Sequence, residues 1–165
     1  MNVWLRNLMA MPAAALLAAG ACAAPQSVEA FDAQTWSALQ ATLDKPAAVV
    51  FTTTDCVYCP RVLRNLAREI GQRKLNASLI AVVMDVPPGE VDDRLLRDPH
   101  YRPADRLLAF SGQAPALRYK VNPAWRGMTP YVVFLKPGLP PSSVTGQPSA
   151  RSIEAWANAR PKQEP

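Results

Sequence analysis

The chain has 165 residues and only three cysteines, which is long enough to bury one real core and too poor in cysteine for a disulfide-scaffolded fold. Lys and Arg outnumber Asp and Glu by 18 to 13, but the excess is scattered and no basic run is interleaved with aromatics, which argues against a nucleic-acid-binding module. The 17 prolines, most of them beyond residue 86, point to a compact domain with long, stiffened connections.

Residues 1–24 read as a secretory leader. "MNVWLRN" carries one arginine, and the 17 residues from Leu8 to Ala24 carry no charge, with Pro12 inside them. That run is short for a membrane span and ends in small residues, as a signal peptide does. Two exits are open. "LLAAGAC" resembles a bacterial lipobox, with cleavage before Cys22 and lipid attached to it, although Ala19 stands where leucine is usual. Ordinary cleavage after Ala23 is the other. Either exit places the domain outside the cytoplasm, where disulfides persist.

Residues 25–30 read as a tether. "FDAQTWSALQATLDKP" follows as a helix capped by Asp32, with Trp36, Leu39 and Leu43 on one face. Ala47–Thr54 is a continuous apolar, β-branched run, the pattern of a strand buried on both faces. The next helix runs to about Lys74, with Pro60 in or beside its first turn and Leu63, Leu66 and Ile70 as its buried stripe. Ala77–Val86 is a second buried strand, so the two strands and their helix form a parallel βαβ unit. Beyond Asp85 the prolines blur the pattern, and short helical pieces are expected near Val91–Arg97 and Pro103–Phe110. "PYVVFLKPG" is then a strand, "PPSSVTG" an antiparallel edge partner, and "SARSIEAWANAR" a closing helix capped by Ser149, with Ile153, Trp156 and Ala157 facing inward.

The chemistry gathers at "TTTDCVYCPR", where Cys56 and Cys59 lie at the junction of strand and helix. A closed zinc site needs four ligands, and here only Cys22 and the loop residue His100 stand beside the pair, so no metal is assigned. A bridge spanning three residues closes almost no loop and is a poor structural staple. A redox pair has a positive mechanism. Unpaired N–H groups and the positive dipole end at a helix start stabilise a thiolate. Cys56, earlier and more exposed, is then the nucleophile, and Cys59 is near enough to resolve a mixed disulfide.

"VVFTTTDCVYCPRVLRNLAREI" resembles the active-site strand and helix of the thioredoxin superfamily. "YKV" at Tyr119–Val121 with "MTPYVVFLKPG" is similar to that family's approach to its cis-proline strand, and "SSVTGQPSARSIEAWANA" to its last strand, glycine turn and terminal helix. The resemblance implies an α/β, thioredoxin-like domain over 31–160, a central mixed sheet flanked by helices. An insertion of about 87–127 precedes the cis-proline strand, and 161–165 form a tail. It further implies a cis Thr129–Pro130 peptide beside Cys56, with Val57, Tyr58, Thr129 and Pro130 meeting an extended substrate.

The expected activity is thiol-disulfide exchange on protein thiols or disulfides outside the cytoplasm. It needs no dissociable cofactor, but it needs a redox partner protein, for which a membrane-embedded one is a hypothesis. Soft-metal binding, of copper(I) for example, through the same thiols is the alternative. Thr53, three residues before Cys56, matches a peroxidase of this fold, but the CVYC pair fits exchange better. Two positions depart from thioredoxins proper: Asp55 replaces the tryptophan before the first cysteine, and Val50 replaces the buried aspartate of the preceding strand. Asp55 is expected to cap the helix. Tyr58 is similar to the residue before the second cysteine in glutaredoxins and periplasmic disulfide isomerases.

Overall fold

A computed structural model describes residues 24–160. The leader, Cys22 and the 161–165 tail lie outside the described residues. Six strands form one sheet: β1 (Val28–Phe31), β2 (Ala47–Thr52), β3 (Ser78–Val83), β4 (Arg106–Phe110), β5 (Tyr131–Lys136) and β6 (Leu139–Thr145). Their spatial order is β1-β4-β3-β2-β5-β6. The first four are mutually parallel, while β5 runs antiparallel to both β2 and β6. Five helices connect them: α1 (Ala33–Ala41), α2 (Cys59–Gln72), α3 (Asp92–Arg97), α4 (Ala114–Val121) and α5 (Ala150–Asn158).

The two-residue alternation of a strand divides the core into two layers. Ala48, Val50, Ala81, Val83, Val132 and Phe134 face α2, α3 and α5. Ala47, Val49, Phe51, Val82, Leu108 and Val133 face α1 and α4. Both faces are covered, so β2 is buried at every residue, which explains why its sequence is an unbroken apolar run. Helix α2 supplies Val62, Leu63, Leu66 and Ile70 to the first layer, while its arginines 61, 64 and 68 stay exposed. On the opposite face an aromatic group forms around Phe31, with Phe51 at 5.5 Å and Phe110 at 5.3 Å between ring centroids.

Three expectations need correction. Residues 28–30 are strand, not tether: Val28–Phe31 pair in parallel with Leu107–Phe110 at the sheet edge. The Glu29 carboxylate and the Arg106 guanidinium join these strands through two hydrogen bonds, which hold the Glu29 carboxyl below its usual range against the opposing effect of burial. Residues 106–110 are also strand rather than helix, because β4 fills the place between β1 and β3 and buries Leu107–Phe110 on both faces. Residues 87–127 therefore contribute α3, β4 and α4 to the fold. Asp55 does not cap α2. The N-cap is Tyr58, which makes no side-chain cap bond, and Pro60 occupies the first turn. The other caps fall as expected, with Asp32 accepting from the Thr35 N–H and Ser149 from that of Ser152.

Candidate active site

The register of β2 against β5 fixes the site. Phe51, near the end of β2, pairs with Tyr131, the first residue of β5. Residues 53–58, which leave β2, and residues 127–130, which enter β5, therefore lie side by side at one end of these two interior strands. The Cys loop turns tightly: the Cys56 N–H donates to the Thr53 carbonyl at 3.2 Å and the Cys59 N–H to the Cys56 carbonyl at 3.3 Å. Cys56 sits in this turn, ahead of the helix, and Cys59 is the first helical residue. A disulfide joins them, with their Cα atoms 5.5 Å apart. Cys59 is buried at 2 % exposure, while Cys56 is partly exposed. Val57 and Tyr58 between them project into solvent, 80 % and 61 % exposed.

A carboxylate from the neighbouring strand anchors the loop. Asp85, just beyond β3, accepts from the Thr54 N–H with both oxygens at 3.0 Å and from the Thr54 hydroxyl. Sequence reading missed this tie because the partners stand 31 residues apart, and only the parallel pairing of β2 with β3 brings them together. Val50 is fully buried in the core, so β2 brings no carboxylate to that position.

The facing wall is the segment 122–130. The Thr129–Pro130 peptide is cis. Trp125, buried between Phe51 and Tyr131, stacks on Tyr131 with centroids 4.3 Å apart and planes 11° apart. Its Nε1–H donates to the Met128 carbonyl at 3.0 Å. Asn122 Nδ2 donates to the Tyr131 hydroxyl at 2.7 Å, closing the segment at its base. The Gly146 N–H donates to the Pro130 carbonyl at 2.7 Å. These bonds occupy the carbonyls on either side of Thr129. The Thr129 N–H and carbonyl themselves take no partner among the described residues.

Between these walls lies a groove of about 560 Å³, bordered by Tyr58, Arg61, Met128, Thr129, Pro130 and Gln147. Arg61 lies over the Tyr58 ring, 5.7 Å from its centroid. Asn65 on α2 donates to Gln147 at 3.0 Å and ties off one end. Of the expected site residues, Tyr58, Thr129 and Pro130 line this groove, and Cys56 and Cys59 form the bridge on either side of the exposed Val57 and Tyr58. His100 stays on an exposed loop beside Asp98. Tyr101 packs into the core, its hydroxyl pushed up to about 12 chiefly by burial. Among the described residues no three His, Cys, Asp or Glu side chains gather as metal ligands, and no helix is long and apolar enough to cross a membrane.

No protein-family model matches the chain, nor does any curated protein. Among solved structures the chain is similar to a secreted Mycobacterium tuberculosis disulfide oxidoreductase homologous to E. coli DsbE, at 15% identity over 68% of this chain and 80% of that one, with a TM-score of 0.46. M. tuberculosis DsbF is similar at 15% identity over 71% of this chain and 84% of that one, with a TM-score of 0.49. StoA from Bacillus subtilis gives 13% identity, 68% and 81% coverage and a TM-score of 0.46. The assignment of a thioredoxin-like fold rests on this chain's own topology: a CxxC pair where β2 meets α2, a cis-proline opening the antiparallel β5, then β6 and a terminal helix.

Proposed function

We propose that the protein exchanges disulfides with protein thiols outside the cytoplasm. The observation that carries this reading is the Cys56–Cys59 bridge standing beside a groove whose far wall offers the two unpartnered backbone groups of Thr129. An extended segment lying in that groove gains backbone hydrogen bonds from Thr129 and apolar contact from Val57, Tyr58 and Pro130.

In the reducing direction the Cys56 thiolate attacks one sulfur of a substrate disulfide. A mixed disulfide forms, and the other substrate sulfur leaves as a thiolate that takes a proton from water. The Cys59 thiolate then attacks the Cys56 sulfur, closes the 56–59 bridge and releases the second substrate thiolate. Two electrons pass to the substrate and the protein ends oxidised. The reverse sequence oxidises a dithiol. Cys56 is assigned the first attack because it is accessible, and Cys59 the second because it is buried. Turnover needs a second redox protein to reset the pair, and a membrane-embedded partner fits the compartment. No dissociable cofactor enters the cycle.

The leader completes the reading: cleavage before Cys22 and lipid attachment there would tether the domain to a membrane surface. Mass spectrometry of the mature amino terminus tests this, since cleavage after Ala23 leaves no Cys22.

Equilibration of the protein against thiol buffers tests the exchange reading. A reversible two-electron couple is expected, near about −270 mV for a reductant or about −120 mV for an oxidant. Cys59→Ser is expected to accumulate mixed disulfides through Cys56, visible on non-reducing gels. A pair with no reversible couple would sink the proposal and turn attention to copper(I) binding by the reduced thiols.

A further inference from the structure

Among the described residues three arginines are ion-paired, and several exposed ones, such as Arg64, Arg68 and Arg151, are not, so lack of a pair alone marks no site; what sets three of the unpaired ones apart is where they stand. Away from the site, Arg73 bonds Glu69, Arg97 pairs with Asp93 and Arg106 with Glu29. Arg61, Arg118 and Arg126 have no carboxylate within ion-pair distance among the described residues. All three border the segment that carries the cis-proline. Arg61 lines the groove beside the cysteines. Arg118 and Arg126 line a second cavity of about 230 Å³, together with exposed Tyr119 and with Trp125. No Asp or Glu lines either cavity. The carboxylates near the cysteines, Asp55 and Asp85, lie outside both, and Asp85 is engaged with Thr54.

Arg118 is not a loose surface side chain. Its Nε and Cδ lie 3.1 and 3.2 Å from where a Cβ of Gly127 would stand, and Gly127 has φ +87°. Only glycine takes that conformation freely and leaves that space empty. The absent side chain leaves room for the arginine stem beside Gly127, which itself lines the groove, while Arg118 lines the second cavity. Fixing a guanidinium in advance lowers the entropy lost when it meets a carboxylate.

We infer that the substrate groove continues across Gly127 into the Arg118–Arg126 cavity, and that this extension selects protein partners carrying Asp or Glu a few residues from the reacting cysteine. The inference rests on the exchange reading above. The charge is matched to a carboxylate-bearing peptide, and Tyr119 and Pro123 supply apolar surface beside it. Its share is specificity and encounter rate rather than bond chemistry.

The test uses three synthetic peptides, each holding one cysteine in a mixed disulfide with a chromogenic thiol. They are identical except for two flanking Glu, two Gln or two Lys on one side, with each side tried. The reduced full-length protein is mixed with each and the released thiol is followed. The Glu peptide on the preferred side is expected to react about three- to tenfold faster than the Gln peptide, the range that two partly exposed charge pairs supply. The Lys peptide is expected to be slowest. The Glu-to-Gln ratio is expected to fall toward one in 1 M salt, where screening acts within about 3 Å, and in both Arg126→Gln and Arg118→Gln. Arg126→Gln does not disturb the packing on Gly127, so it keeps the test sound if Arg118→Gln perturbs the loop. Equal rates for all three peptides, or a ratio that both substitutions leave intact, would overturn the inference while exchange itself stands. No release from any peptide would overturn the exchange reading and this inference together.

Discussion

Replacing Trp125 by Phe separates the shape of the site from its chemistry. Phenylalanine keeps an aromatic ring between Phe51 and Tyr131, where the indole stacks at 4.3 Å from the tyrosine centroid, so most of the roughly 0.5–1.5 kcal/mol of stacking remains. What disappears is the bond from Nε1 to the Met128 carbonyl, about 1 kcal/mol net, together with the contacts of the second indole ring, about another 1 kcal/mol in a buried position. The expected loss of stability is about 2 kcal/mol, or roughly 4–8 °C in Tm for a chain of this size. That bond is what holds Met128, and through it the Thr129 backbone, against the core. Freeing it lowers the fraction of molecules whose Thr129 groups are in place, and apparent affinity for an extended substrate falls by the same fraction, to a limit of about tenfold. The cysteines are untouched. The assay compares kcat/KM for a protein disulfide with that for glutathione disulfide, which is too small to span the groove, alongside the reduction potential. Only the protein substrate is expected to suffer, through KM. An equal loss on both substrates, or a shifted potential, would refute the positioning argument. So would a fall in Tm with no change in either rate.

Three further outcomes follow from the same geometry. Asp85→Ala removes the acceptor of the Thr54 N–H, and since a hydrogen bond to a charged group contributes about 1.5–3 kcal/mol, hydrogen exchange at the Thr54 amide is expected to quicken at least about tenfold, against little change in strand amides of β5. Glu29 has its carboxyl held below the usual range by Arg106, so its pairing stabilises the fold fully above the unfolded-state value of 4.5 and is lost as pH falls through the lowered one. Urea melts of the wild type and Glu29→Gln are expected to differ by at most about 1 kcal/mol at pH 7, given the pair's partial exposure, and to converge as the pH is taken well below 4.5. Lys136 donates to the carbonyls of Trp156 and Ala157 at the end of α5, where a cation also meets the negative end of the helix dipole. Lys136→Met is expected to lower stability by about 1–2 kcal/mol in denaturant melts.

The parts of the fold that were legible in sequence are those whose pattern had one physical reading. Strands β2 and β3 are continuous β-branched runs, α2 shows an apolar stripe opposed by arginines, and β5 follows a turn proline. Strand β4 was misread because "RLLAF" is a short apolar run that fits a buried helix as well as a buried strand, and only the vacancy between β1 and β3 decides between them. Strand β1 was missed because four residues at a sheet edge, half of them polar or small, give no periodicity. Helix α4 has a single buried residue, Leu117, too little for a stripe. The cysteines and the cis-proline segment were visible through motif and resemblance. Their supports were not: Thr54 with Asp85 joins residues 31 apart, the Trp125 indole bonds a backbone carbonyl at Met128, and Arg118 fills the space a side chain at Gly127 would take, and none of these leaves a local pattern in the sequence.

Two of these contacts, those made by Trp125 and Arg118, come from the segment 87–127. Strand β4 enters between β1 and β3, and the chain must return from it over the aromatic face of the sheet to reach β5. Helix α4 makes that return, and Leu117 docks it against the same layer as Trp36 and Phe51. Its end delivers Asn122 to the Tyr131 hydroxyl and Trp125 to the Tyr131 ring, so the wall of the groove is fixed by residues this segment brings. A lid would have to lie over the cysteines, yet Val57 and Tyr58 remain open to solvent. On the proposed reading, residues 87–127 act on the site from beside it, through the contacts of Asn122 and Trp125 with Tyr131 and Met128. Shortening this segment should consequently alter which partners bind before it alters the chemistry at Cys56.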